Sequence, residues 1–176
     1  EAGLRTGDKY QPFPEEINRR VTGVIADLHF APTRRASQNL LREGVGEESI
    51  FVTGNTVIDA LMAIRQRISE DTALAGEIAG RFSWLAGFGR MVLVTGHRRE
   101  NFGQGFKEIC QALVDLARAY PTVAFVYPVH LNPQVQEPVA AILRTADVTN
   151  IFLTDPQEYA SFVYLLDRCT LVLTDS

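Results

Sequence analysis

Met91-Val-Leu-Val-Thr-Gly-His-Arg-Arg-Glu-Asn-Phe-Gly-Gln-Gly105 is the stretch on which the reading of this chain turns. A short apolar run reads as a buried strand, and Gly96 releases the chain from it. His97, Arg98, Arg99, Glu100 and Asn101 then bring an imidazole, two guanidiniums, a carboxylate and an amide in succession. Gly103 and Gly105 follow, and from Phe106 the apolar residues recur at helical spacing. A strand that ends in a glycine-punctuated polar loop and feeds a helix start is a natural anion site. The helix offers unpaired N–H groups and a partial positive charge at that end. Packing gives no reason to crowd His97, Arg98 and Arg99 there, whereas a phosphorylated ligand does.

Working outward, the same alternation repeats. A strand at 91–95 precedes a helix near 105–119, and a strand at 123–127 precedes a helix near 134–144. A strand at 150–154 precedes a helix near 157–167, and 170–174 is the last strand. Their apolar runs are continuous rather than alternating, as expected of parallel strands covered on both faces. The expectation is a doubly wound α/β sheet with every strand's carboxyl end on one rim.

Upstream, residues 1–13 have no clear period and read as loop. Pro14 with Glu15 and Glu16 suits a helix start running to about Val24, because carboxylates favour the positive end. His29 to Pro32 is a short strand, Thr33 caps a helix over about 34–43 closed by Gly44, and Ile50 to Thr53 is another strand. Val57, Ile58, Leu61, Ile64 and Ile68 define a long amphipathic helix, and 73–85 a weaker one. The domain joint is expected near 54–57, where one series closes and the long helix opens.

The 176 residues are 46% hydrophobic and 22% charged, with a net charge of -4, ordinary for a globular protein. That balance excludes a general polyanion binder, so positive potential is local, as at Arg98 and Arg99. The apolar runs fall short of the roughly 18 residues a membrane span needs, and the first residues lack a signal-peptide core. Cys110 and Cys169 sit in periodic apolar segments without metal spacing and read as reduced core thiols of a cytoplasmic protein. The chain opens without a methionine and stops just after a strand, so it reads as a piece cut at both ends.

Seven blocks occur in order: Glu1-Ala-Gly-Leu-Arg-Thr-Gly-Asp8, Pro14-Glu-Glu-Ile-Asn-Arg19, Phe30-Ala-Pro-Thr33, Val52-Thr-Gly-Asn-Thr-Val-Ile-Asp-Ala-Leu61, Thr95-Gly-His-Arg-Arg-Glu-Asn-Phe-Gly103, Pro128-Val-His-Leu-Asn-Pro133 and Leu171-Val-Leu-Thr-Asp-Ser176. Together they closely resemble the bacterial non-hydrolysing UDP-N-acetylglucosamine 2-epimerases, over somewhat less than half of such an enzyme. The resemblance implies an α/β fold with a GT-B-like pair of doubly wound parallel-sheet domains. Residues 1–54 would be the end of the first domain, and 55–176 most of the second, UDP-binding one. It implies interconversion of UDP-GlcNAc and UDP-ManNAc by elimination and re-addition of UDP with inversion at C2, for bacterial surface polysaccharide. No metal and no other cofactor is implied, and a piece lacking one wall of the cleft would be inactive by itself.

Site residues follow from the same blocks. His97 would contact the UDP phosphates or the departing oxygen, and Glu1 and Glu15 would carry out proton transfer, with base and acid not assigned between them. Gln157, Phe162 and Ser176 match positions that hold uridine and phosphate. Arg98 and His130 match positions that bind a second UDP-GlcNAc as activator. Arg5 and Arg19 read mainly as structural partners of nearby carboxylates. A homodimer is implied for the full-length enzyme, with neither nucleic acid nor membrane as partner. The rivals are a hydrolysing epimerase releasing ManNAc and UDP, a GT-B glycosyltransferase using a UDP-sugar donor, and a nucleotide-binding half-module.

Overall fold

Continuous apolar runs need cover on both faces, and the two central strands of the second half receive it, while the outer two are only half-buried. The computed structural model describes residues 1–96, 98 and 101–175. Among these, β3 (Arg90–Thr95), β4 (Val123–Pro128), β5 (Ile151–Thr154) and β6 (Leu171–Thr174) form a parallel sheet in the order β5-β4-β3-β6. Val92, Val94, Val123, Phe125 and Tyr127 point to one face. There they pack with Phe106, Cys110, Leu113, Val114 and Ala117 of α5 (Gln104–Ala119). The alternate residues Met91, Leu93, Ala124 and Val126 are buried on the other face, as the pleat requires. α7 (Tyr159–Arg168) packs against β3 through an inner side that buries Val163, Tyr164 and Leu165. The Phe82 ring, just past α4 (Thr72–Arg81), stacks on Tyr164 with centroids 6.0 Å apart.

One expected helix is interrupted. α6 (Pro133–Pro138) gives way to a single π-helical turn over Val139–Leu143. Pro138 has no N–H to donate, so the regular ladder loses a bond at that position and the chain widens to accommodate it. A buried amide joins three elements. Asn150 Nδ2 donates to the carbonyls of Ala117, Tyr120 and Val123 at 3.0, 3.0 and 2.9 Å. Cys110 and Cys169 are free thiols, and burial pushes Cys110 up to about 11, so it stays protonated.

The chain divides into two units, Glu1–Ala63 and Ile64–Ser176, within helix α3 (Thr56–Glu70). In the first, β1 (His29–Ala31) pairs in parallel with β2 (Ile50–Val52). α2 (Arg34–Arg42) covers them, with Ala31, Ala36 and Leu40 as the buried centre. Thr33 caps α2 by accepting from the Ala36 N–H at 3.1 Å. α1 (Glu15–Ile25) carries Glu15 and Glu16 in its first turn, with Pro14 as its N-cap residue. Gly3 has φ +76°, and a Cβ there would lie 2.1 Å from the Ala36 carbonyl oxygen, so only glycine lets this loop lie on α2. Asn39 Nδ2 ties it down by donating to the Gly3 carbonyl at 3.0 Å.

Candidate active site

Strand order decides where a ligand sits on the second unit. From β3 the chain moves outward to β4 and β5, then returns to β3's other side for β6. The crevice at this reversal opens between the carboxyl ends of β3 and β6, which are level because Thr95 pairs with Thr174. His97 and Ser176 follow those ends in sequence but lie outside the described residues. Arg98 is exposed at the same end. α5 starts from Gly103 (φ +85°, ψ -125°), a conformation open to glycine, and no described side chain caps it. A helix start of this kind can turn its first N–H groups to an anion.

Tyr127 of β4 and Asp175, just past β6, hold described residues that follow β3. The buried Tyr127 hydroxyl donates to the Gly96 carbonyl at 2.8 Å. Burial raises the phenol's pKa, with nearby Cys110 and Asp175 adding to it, so Tyr127 remains a donor. Asp175 accepts from the Arg98 N–H at 2.8 Å and from Asn101 Nδ2 at 3.2 Å.

The remaining second-unit candidates lie on the same rim of strand ends. His130 is exposed after β4, and its Nδ1 accepts from the Asn132 N–H at 3.1 Å. Asn132 in turn caps α6 through Gln134 N–H at 2.9 Å. Gln157 follows β5 with its amide NH2 donating to the Asp155 carbonyl at 2.6 Å and to Thr154 Oγ1 at 3.3 Å. Its donors are thus turned inward. Phe162, in the first turns of α7, is half-buried and offers part of its ring to solvent.

Glu1 and Glu15 belong to the first unit, where both line a concavity of about 490 Å³. Glu15, Asn18, Arg19, Thr22 and Gly23 contribute one face of α1, the i, i+3, i+4 repeat of a helix, and Ala26 follows at its C-cap. Polar groups lie at the N-terminal end of that face and small or apolar ones towards its C-terminal end. Arg19 Nε donates to Glu1 Oε2 at 2.9 Å, and Arg5 grips both oxygens of Glu43 at 2.9 Å each. Both arginines therefore pair with carboxylates. Among the described residues, no group of three or more His, Cys, Asp or Glu could hold a metal ion.

Sequence patterns alone passed over Glu16, whose side chain is fully buried. It accepts from the N–H groups of Thr6 at 3.2 Å and Gly7 at 3.4 Å, and from Arg20 Nε at 3.3 Å. Burial on its own raises its pKa. The two N–H donors and the Arg20 guanidinium outweigh that, and the net shift is downward. Its neighbour in sequence, Glu15, shows the same carboxylate exposed, so only the helix face tells them apart. Tyr127 and Asp175 were likewise passed over. Each had a weak signal, one hydroxyl in an all-apolar run and one carboxylate on an anion-facing rim.

In open α/β sheets of this kind, ligands are taken at the carboxyl ends of the strands, in the crevice where the strand order reverses. The family model for UDP-N-acetylglucosamine 2-epimerases matches residues 1–176, and the chain belongs to that family. It is 57% identical over its whole length to the UDP-N-acetylglucosamine 2-epimerase of Yersinia pestis, covering 46% of it. The crystal structure of UDP-GlcNAc 2-epimerase from Neisseria meningitidis bound to UDP-GlcNAc is 44% identical with a TM-score of 0.90, over all of this chain and 47% of that one. The Methanocaldococcus jannaschii enzyme in complex with UDP-GlcNAc and UDP is 30% identical with a TM-score of 0.73, again over the whole chain and 47% of its own. The chain thus spans about half the length of its relatives. Its parallel α/β units share the fold of these epimerases, which is GT-B-like.

Proposed function

We propose that this chain, as part of a full-length enzyme, interconverts UDP-GlcNAc and UDP-ManNAc without hydrolysing them. The observation that carries the reading is the pair of carboxylates Glu1 and Glu15 on one concavity, with Arg19 holding Glu1. Membership of the epimerase family supports it. One carboxylate removes the C2 proton while UDP departs from C1, leaving a 2-acetamidoglucal. Protonation on the opposite face and return of UDP to C1 complete the inversion. Held carboxyl groups can serve as either acid or base. His97 offsets the charge on departing UDP. Ser176, Gln157 and Phe162 hold the nucleotide, and Gln157 must present its oxygen or turn its amide outward to do so. Arg98 and His130, both exposed, bind a second UDP-GlcNAc as activator. The product serves bacterial surface polysaccharide, and the working enzyme is a cytoplasmic homodimer.

A reaction in heavy water tests this. Inversion through elimination exchanges the C2 proton with solvent, so recovered sugar carries deuterium at C2, whereas glycosyl transfer never breaks that bond. NMR of the products should show UDP-ManNAc rather than free ManNAc. Consumption of UDP-GlcNAc without C2 deuteration overturns the epimerase reading, and free ManNAc as first product overturns the non-hydrolysing one. Arg98→Ala or His130→Ala should weaken activation by added UDP-GlcNAc severalfold, since couplings between sites run ~1–3 kcal/mol.

A further inference from the structure

We infer that Asp175 is a positioning residue for the loop joining β3 to α5, holding it across the sheet's point of reversal. The charge of Asp175 fits its place poorly. A carboxylate on a rim proposed to receive diphosphate repels the ligand, and a serine or asparagine there would serve the anion better. What Asp175 does instead is accept. A single oxygen, Oδ2, takes the Arg98 N–H at 2.8 Å and the Asn101 side-chain N–H at 3.2 Å. The Asn101 N–H donates to the Arg98 carbonyl at 3.1 Å, closing a ring of three residues. Asp175's own N–H donates to the Thr95 carbonyl at 3.3 Å, so its backbone is anchored to β3. Tyr127 holds the loop's other end through Gly96. A Cβ added to Gly96 would lie 3.4 Å from that hydroxyl and 3.9 Å from the Asp175 Cγ, so these anchors converge on one point. His97 lies in sequence between the residues so tied. Asp175 also immediately precedes Ser176, so one residue links the two segments proposed to meet phosphate.

The inference rests on the proposed function only for its kinetic consequence. Peptide-resolved hydrogen exchange of the full-length protein reads the loop directly. Asp175→Ala should speed exchange in the peptide containing Arg98 and Asn101, and lower kcat on the order of 100-fold, the effect of a misplaced catalytic group. Asp175→Asn keeps an oxygen where Oδ2 sits and should restore most of both. Tyr127→Phe removes only the hydroxyl and should speed exchange of the same peptide by a smaller factor. If Asp175→Ala does not fold, Asp175→Asn and Tyr127→Phe carry the test. Unchanged exchange in Asp175→Ala, or in Tyr127→Phe where that variant decides, overturns the inference. So does an Asp175→Asn as impaired as Asp175→Ala, because the charge would then matter rather than the geometry. A wild-type protein that fails to epimerise, yet whose loop loosens in Asp175→Ala, overturns the functional reading and upholds the anchor.

Discussion

A carboxylate transfers protons usefully only when something holds it, and in this chain small details of residue type do the holding. Glu1 leans on Arg19, and the loop that presents Glu1 lies on α2 because Gly3 has no side chain. Gly3→Ala should therefore destabilise the first unit by about 3 kcal/mol or more, since a left-handed φ and a backbone collision add together. Chemical denaturation of the full-length variant checks this. The Glu1–Arg19 pair is mostly exposed on the Glu1 side and should add little to stability, its consequence being orientation. Glu1 and Arg19 were legible as candidates because they sit in recognisable blocks. Asp175 sits in one as well, but its two-donor grip depends on residues 77 and 74 positions away, which no local pattern displays.

At the scale of elements, two buried polar side chains hold segments together. Asn150 closes the gap between the end of α5 and the starts of β4 and β5. Asn150→Leu leaves three carbonyls short of a donor. It should cost about 2–4 kcal/mol, measured as a lowered denaturation midpoint with unchanged slope. Glu16 joins α1 to the loop at Thr6 and Gly7. Its carboxyl titrates below its ordinary value of 4.5 in the folded protein. The folded state thus binds that proton less readily than the unfolded chain. Its stabilisation is fully present above the unfolded pKa and is lost as pH falls through the folded one. Glu16→Gln should flatten the decline in stability on acidification below about pH 4.5, as read by denaturant titration at a series of pH values. Strands and helices were readable because packing period and caps are local, as the Thr33 cap shows. The π turn after Pro138 was not, although the proline that causes it was in view.

For the whole molecule, the proposed roles fall on different units of the chain, proton transfer on Glu1–Ala63 and nucleotide contacts on Ile64–Ser176. Binding and chemistry should therefore separate. Saturating UDP, at about 100 times its Kd, should stabilise the full-length protein by about 2.7 kcal/mol. Glu15→Gln should leave that gain intact, by thermal shift, while lowering turnover ~100- to 10,000-fold. A Glu15→Gln protein that loses the UDP-dependent shift would move Glu15 into the nucleotide site. The sequence by itself determined the α/β alternation, the parallel character of the strands and the block of residues after β3. Apolar period, glycine and caps act over a few residues, so they can be read along the chain. Only the tertiary structure decided the order β5-β4-β3-β6, which puts the ends of β3 and β6 side by side. It alone separated buried Glu16 from exposed Glu15, and gave Asp175 and Tyr127 their hold on the loop. Those outcomes depend on which distant segments share a strand edge or a helix face, and burial and hydrogen bonding across space settle that.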